Sequence, residues 1–198
     1  MDCYEKLRCL KNPSGKPYLS PKMESRASWV GNIRRTYLSG HSGGGKPLVE
    51  AAGADYMLIT SSSVMGQGNR AADLWLFDCT YGFGIGNYVN FIRNWNNAGL
   101  LKYGPDGARF VCVYGPKSDQ SNTETEANTL RGEIAKALSV KPDSLLKLHD
   151  SNKMDSPSMT KTVIPALRSS SVIFIRTAVA HDDIPTNFIP LLLRTAAS

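Results

Sequence analysis

The chain has 198 residues, a net charge of +6, and hydrophobic and charged fractions of 41% and 20%. That is enough for one domain with a substantial core, and it excludes wholesale disorder and fibrous repeats. No run of about 18 apolar residues is present, which excludes a membrane-spanning helix, and no signal-peptide or lipidation pattern is visible in the sequence.

The charge is concentrated at the start. Residues 1–35 carry eight Lys or Arg against Asp2, Glu5 and Glu24, a balance of +5 that leaves +1 for the remainder. A basic N-terminal extension over 1–31 is therefore expected, with an α/β domain over 32–198. Such an arm suits nucleic acid, an acidic lipid surface or an acidic protein partner, and also fits a solvated extension. Within it, "KNPSGKPYLSPK" (11–22) holds three prolines and reads as an irregular strap. Trp29 is placed to pin the arm to the domain. Cys3, Cys9, Cys79 and Cys112 lack C-x-x-C spacing, and the last two sit in apolar runs typical of buried reduced thiols. An intracellular, cytoplasmic setting follows as an expectation.

From Asn32 the elements alternate. Asn32 to Ser39 is a weak strand leading into the glycine-rich "SGHSGGGKP", and Pro47 suits the first position of a short helix to Ala54. "YMLITSS" from Tyr56 is a strand candidate. "ADLWLFDCT" from Ala72 is a stronger one, apolar enough to be covered on both faces. Tyr88, Phe91, Ile92 and Trp95 then mark a helix behind Asn87 as its cap. Ala108 to Gly115 is a buried strand. Thr123 and Glu126 have capping-box spacing ahead of a helix faced by Ala127, Leu130, Ile134 and Leu138. "SLLKLHD" and "SSVIFIRTA" are strands around a helix at Met159 to Leu167. "NFIPLLLRTA" closes the chain as a helix whose Pro190 belongs in its first turn or bends it. Alternation of this kind implies a three-layer α/β sandwich with a mostly parallel central sheet, whose chemistry sits in the loops after the strands.

Four of those loops carry motifs. Gly40 to Lys46 is G-x-x-x-x-G-K, with glycines that allow backbone N–H groups to surround a phosphate and a lysine to neutralise it. "LWLF" ends in Asp78, the type of residue that holds a Mg²⁺-bound water. Asn152-Lys153-Met154-Asp155 offers a carboxylate to the N–H edge of guanine. Thr177-Ala178 offers a backbone N–H to the guanine carbonyl. "GHSGGG" also contains the G-x-S-G-G of a trypsin-like nucleophile loop with Ser42 as nucleophile, but no histidine and aspartate pair precedes it in the required order.

In that order the four motifs, together with "VIFIRTAVAHDDIPTNFIPLLLR", resemble the guanine-nucleotide motifs of the Ras-like small GTPases over about residues 32 to 197. The resemblance implies that Gly40, Gly43, Gly45 and Lys46 cradle phosphate and that Asp78 supports Mg²⁺ through water. It implies further that Asn152, Lys153 and Asp155 frame the base and that Ala178 donates its N–H. GTP or GDP would be the ligand. Departures fall on catalysis: Pro47 stands where a Mg²⁺-binding hydroxyl belongs, Phe83 where a water-orienting glutamine would stand, and Thr60 is the sole threonine available between Pro47 and Asp78. The expectation is a GTPase-like protein with weak or no hydrolysis, serving as an interaction or scaffold subunit of a larger assembly. The competing expectation is a basic nucleic-acid-associated or viral structural α/β protein. His149 and His181, each beside acidic residues, lack a third metal ligand at nearby spacing and read as loop histidines.

Overall fold

A computed structural model describes residues 35–48, 71–80, 84–104, 107–116, 122–150 and 164–195. The elements in chain order are β1 (Arg35–His41), β2 (Ala71–Phe77), α1 (Ile85–Asn97), β3 (Arg109–Tyr114), α2 (Thr123–Ala137), β4 (Leu146–Asp150), β5 (Val172–Thr177) and α3 (Ile184–Thr195). The expected strand at Tyr56, the N-terminal arm, Trp29, Cys3 and Cys9 lie outside the described residues.

All five strands are parallel, in the order β1-β2-β3-β5-β4. The apolar runs of β2, β3 and β5 explain why these three are central. Strand side chains alternate between faces, and here both faces are covered. Leu74 and Leu76, Phe110 and Cys112, and Val172 and Phe174 point into one core with Tyr88, Phe91, Ile92 and Trp95 of α1 and Leu130 and Ile134 of α2. Trp75 and Phe77, Val111 and Val113, and Ile173 and Ile175 point into the other with Leu167 and with Ile184, Phe188, Leu191 and Leu192 of α3. The three-layer α/β sandwich expected from the sequence is what forms. Among the described residues no helix is long and apolar enough to cross a membrane.

Several boundaries differ from the sequence reading. α1 starts at Ile85 on Gly84, whose φ of 82° suits only glycine well, so Asn87 lies inside the helix rather than capping it. α2 is capped by Asn122 with no side-chain cap bond; Thr123 is its first residue and is buried against the sheet, where it cannot play the capping-box role. Helical structure after the glycine loop begins at Gly45, two residues before Pro47. Pro190 sits inside α3, which begins earlier than expected at Ile184.

The amino ends of the strands are braced by a buried ion pair. Asp73 and Arg109 face each other in register on β2 and β3, both fully buried, with Arg109 Nη2 2.6 Å from Asp73 Oδ2. Arg109 also donates to the Thr195 carbonyl at 3.1 Å, tying the end of α3 to the sheet, and Trp75 Nε1 donates to Asp73 at 3.2 Å. A groove of about 450 Å³ lined by Asn96, Ser144, Ser171 and Val172 opens at this same end, away from the strand ends where parallel sheets place ligands.

Candidate active site at the carboxyl ends of the strands

The carboxyl ends of β1, β2, β3 and β5 bring His41, Ser42, Asp78, Cys79, Gly115 and His181 into one cluster. β1 ends at His41, opposite Phe77 of β2, so Ser42 and Asp78 are the first residues beyond two neighbouring strands. Ser42 has φ of 51° and Asp78 has φ of 46°. Only three non-glycine residues among those described have positive φ, the third being Ser139, just beyond the end of α2. Strained backbone of this sort persists where the surroundings hold it and concentrates at functional sites.

Ser42 occupies the corner of a sharp strand-to-helix turn. His41 is extended (φ −129°, ψ 139°), Ser42–Gly44 form one 3₁₀ turn, and Gly45 is already helical (φ −62°, ψ −38°). The tightness of the corner explains its glycines. A Cβ on Gly40 would lie 2.9 Å from Leu48 Cδ2 and 3.0 Å from the Gly44 carbonyl oxygen, and one on Gly45 would run into the Cys79 carbonyl. Gly43 and Gly44 face open space. From beneath, the Cys79 thiol donates to the Gly40 carbonyl at 3.3 Å and Tyr88 Oη donates to the Gly45 carbonyl at 3.1 Å. Burial pushes the Cys79 thiol up to about 12, so it stays protonated and serves as a brace rather than a nucleophile.

Asp78 and His181 form the second half of the cluster. His181 lies in the loop after β5, whose turn is fixed by the Val179 N–H donating to Thr177 Oγ1 at 3.1 Å. It reaches back over β3 so that its Nδ1 stands 2.7 Å from Asp78 Oδ2. The other carboxylate oxygen, Oδ1, accepts the Gly115 N–H at 3.2 Å. Asp78 is buried and His181 is about one-third exposed. His41, the residue before Ser42, donates from Nε2 to the His181 carbonyl at 3.0 Å, and the two imidazole ring centroids lie 4.5 Å apart with the planes tilted by 36°. The cluster thus holds a serine on a positive-φ corner next to His41, and an imidazole, His181, that contacts His41 and is oriented by a buried carboxylate: the residue types of a nucleophile, a base and an orienting acid.

The sequence-predicted site residues divide between this cluster and elsewhere. Gly40 and Gly45 are buried in the corner, Gly43 lies exposed on it, and Lys46 is exposed one residue further on. Asp78 is in the cluster, with both carboxylate oxygens engaged by His181 and Gly115. Ala178 is exposed just after β5. Asn152, Lys153 and Asp155 lie outside the described residues; β4, which leads to them, is at the opposite sheet edge from β1, four strand spacings or about 19 Å away. Phe83 and Thr60 also lie outside.

His41 and His181 were not linked by the sequence reading, because 140 residues separate them. The trypsin-like order, histidine and aspartate first, does not fit Ser42. A second signal was available: G-x-S-x-G at Gly40 to Gly44, directly after a strand and before a helix, followed in chain order by Asp78 and His181. Comparison with protein-family models, with curated proteins and with solved structures finds no match.

Proposed function

We propose that this chain is a serine hydrolase of acyl substrates, with Ser42 as nucleophile, His181 as general base and acid, and Asp78 as the orienting carboxylate. The observation that carries this reading is the 2.7 Å contact between His181 Nδ1 and Asp78 Oδ2, at the same sheet end as a serine held at φ 51° in a strand-to-helix corner. The chain order Ser–Asp–His and the G-x-S-x-G corner are those of the α/β-hydrolase nucleophile elbow, as is a parallel sheet that presents all three residues at its carboxyl end.

In this mechanism Ser42 Oγ attacks the substrate carbonyl carbon while His181 Nε2 takes the hydroxyl proton. The imidazolium so formed is stabilised by the Asp78 carboxylate, which keeps Nδ1 protonated throughout. The carbonyl π electrons move onto oxygen, and the Gly43 N–H, on the residue after the nucleophile, is the donor this mechanism assigns to that oxyanion. Collapse expels the alcohol or amine with the proton from His181, leaving an acyl ester on Ser42. Water, deprotonated by the same imidazole, then releases the acid and restores the serine. A fluorophosphonate probe followed by peptide mass spectrometry tests the reading: the expected result is a phosphonyl adduct on Ser42, absent from His181→Ala protein. An unlabelled Ser42 in folded protein, with no ester hydrolysis, would overturn it.

The guanine-nucleotide scaffold is the second reading, with GTP or GDP as ligand and other proteins as partners. The observation in its favour is the glycine loop that opens a helix at the carboxyl end of β1. It is the weaker one, since the Asp78 carboxylate is committed to His181 and Gly115 and the strand that leads to Asn152 stands at the far edge of the sheet. Guanine-selective binding lost in Asp155→Ala, together with no probe labelling of Ser42, would reverse the ranking.

A further inference from the structure

His41, His181 and Asp182 each bring one ligand atom to within 4.8 Å of the other two. The hydrogen bonds around them decide which imidazole nitrogens carry lone pairs. A carbonyl oxygen only accepts, so the 3.0 Å contact with the His181 carbonyl requires a proton on His41 Nε2 and leaves the lone pair on Nδ1. The Asp78 carboxylate likewise takes the proton of His181 Nδ1 and leaves the lone pair on Nε2. Each ring thus has the outer acceptor that metal-bound histidines characteristically use to fix their tautomer. The ring centroids lie 4.5 Å apart, so the two imidazoles already sit side by side.

Asp182 adds an exposed carboxylate on the residue following His181. Two imidazoles, one carboxylate and a solvent-facing fourth position form a zinc ligand set. A tetrahedral zinc with bonds of about 2.0–2.1 Å holds its ligand atoms about 3.4 Å apart. The three ligand atoms lie within 4.8 Å of one another, and Asp182 is exposed, so its carboxylate can rotate toward the two imidazoles.

We propose that His41, His181 and Asp182 bind a zinc ion, and that this binding switches the hydrolase off. The metal takes the Nε2 lone pair that must accept the Ser42 proton, so zinc and turnover exclude each other. The binding stands on the three side chains alone; only the inhibition rests on the triad reading above. Asp182 is outside the catalytic machinery, which gives the switch a residue that can be removed on its own.

Titration of the full-length Ser42→Ala protein with zinc chloride, read by calorimetry and by competition with a chromogenic chelator, tests the binding without any need for activity. Saturable one-to-one binding is expected, weakened at least about tenfold in both Asp182→Ala and His41→Gln. In the Ser42-intact protein zinc is expected to abolish ester hydrolysis reversibly, with recovery on adding chelator. Asp182→Ala is expected to keep its basal rate and to need at least about tenfold more zinc for the same inhibition. Absence of saturable binding would overturn the proposal, as would binding that survives both substitutions or that disappears in Cys3→Ser/Cys9→Ser protein. Zinc binding that requires His41 and Asp182 in a chain without hydrolase activity would support the site, remove the inhibition and sink the triad reading.

Discussion

Asp78→Asn isolates the part of the site on which the hydrolase reading depends. The substitution is isosteric, and the asparagine carbonyl can keep the Gly115 N–H that now lies 3.2 Å from Oδ1. The amide NH₂ then faces His181 Nδ1 across the present 2.7 Å contact. Two donors cannot share that contact, so the imidazole must carry its proton on Nε2. In the proposed mechanism Nε2–H is then a donor and has no lone pair to accept the Ser42 proton. Loss of the acceptor tautomer in a triad of this kind costs about 10⁴ in kcat, or ~5.4 kcal/mol of transition-state stabilisation. The cost to folding is smaller, because one charge-assisted hydrogen bond worth roughly 1.5–3 kcal/mol becomes a neutral one. The check is kcat/KM on short-chain p-nitrophenyl esters at neutral pH, with thermal unfolding recorded on the same samples. A near-total loss of turnover with Tm lowered by only a few degrees is expected. A folded variant within about tenfold of the parent rate would show that Asp78 does not set the tautomer of His181 and would refute the assignment.

The rest of the structure makes equally specific demands. Gly45→Ala drives a Cβ into the Cys79 carbonyl and is expected to cost about 1–3 kcal/mol by urea unfolding, whereas Gly43→Ala meets no atom within 4 Å and is expected to leave the midpoint nearly unchanged. Arg109→Met strands the buried Asp73 carboxylate; a loss of about 3–5 kcal/mol is expected, and replacing both partners with apolar residues should recover much of it. Alkali should weaken the fold. Cys79 titrates near 9.0 when unfolded but is pushed up to about 12 by burial. Its contribution is therefore fully present below pH 9 and is lost as the pH rises toward 12, with ~1.4 kcal/mol gone at pH 10, measurable as a falling urea midpoint. Cys112, also raised by burial, adds to the decline.

The layered architecture was legible because burial on both faces leaves a strong mark. The near-continuous apolar runs of β2, β3 and β5 are the three central strands, and the helical spacing of Tyr88, Phe91, Ile92 and Trp95 is the face that α1 buries. Helix starts were less legible, since the deciding interaction was tertiary. Thr123 has the side chain of a cap, yet the sheet takes it into the interior, and Gly84 begins α1 through its φ rather than through any side-chain bond.

The site was only partly legible, and the reason is topological. Sequence spacing exposes contacts made within one turn or one loop, but the residues that matter here are related by strand order. His41 and Ser42 follow β1, Asp78 follows β2 and His181 follows β5. Until β1 and β2 are known to be neighbours with His181 folded back over β3, nothing places these residues at one end of the sheet. The same stretch, "SGHSGGGKP", is consistent with a phosphate loop, since a glycine-rich corner between strand and helix is needed whenever backbone N–H groups must approach a ligand closely. What separates the two chemistries is the company the corner keeps. A phosphate loop needs a metal-ligating hydroxyl where Pro47 stands, and it needs an acid with a carboxylate oxygen turned toward the metal. A nucleophile elbow needs an acid turned toward an imidazole. The Asp78 carboxylate is held by the Gly115 N–H on one oxygen and by His181 on the other, which favours acyl transfer at Ser42 over phosphate binding at Lys46.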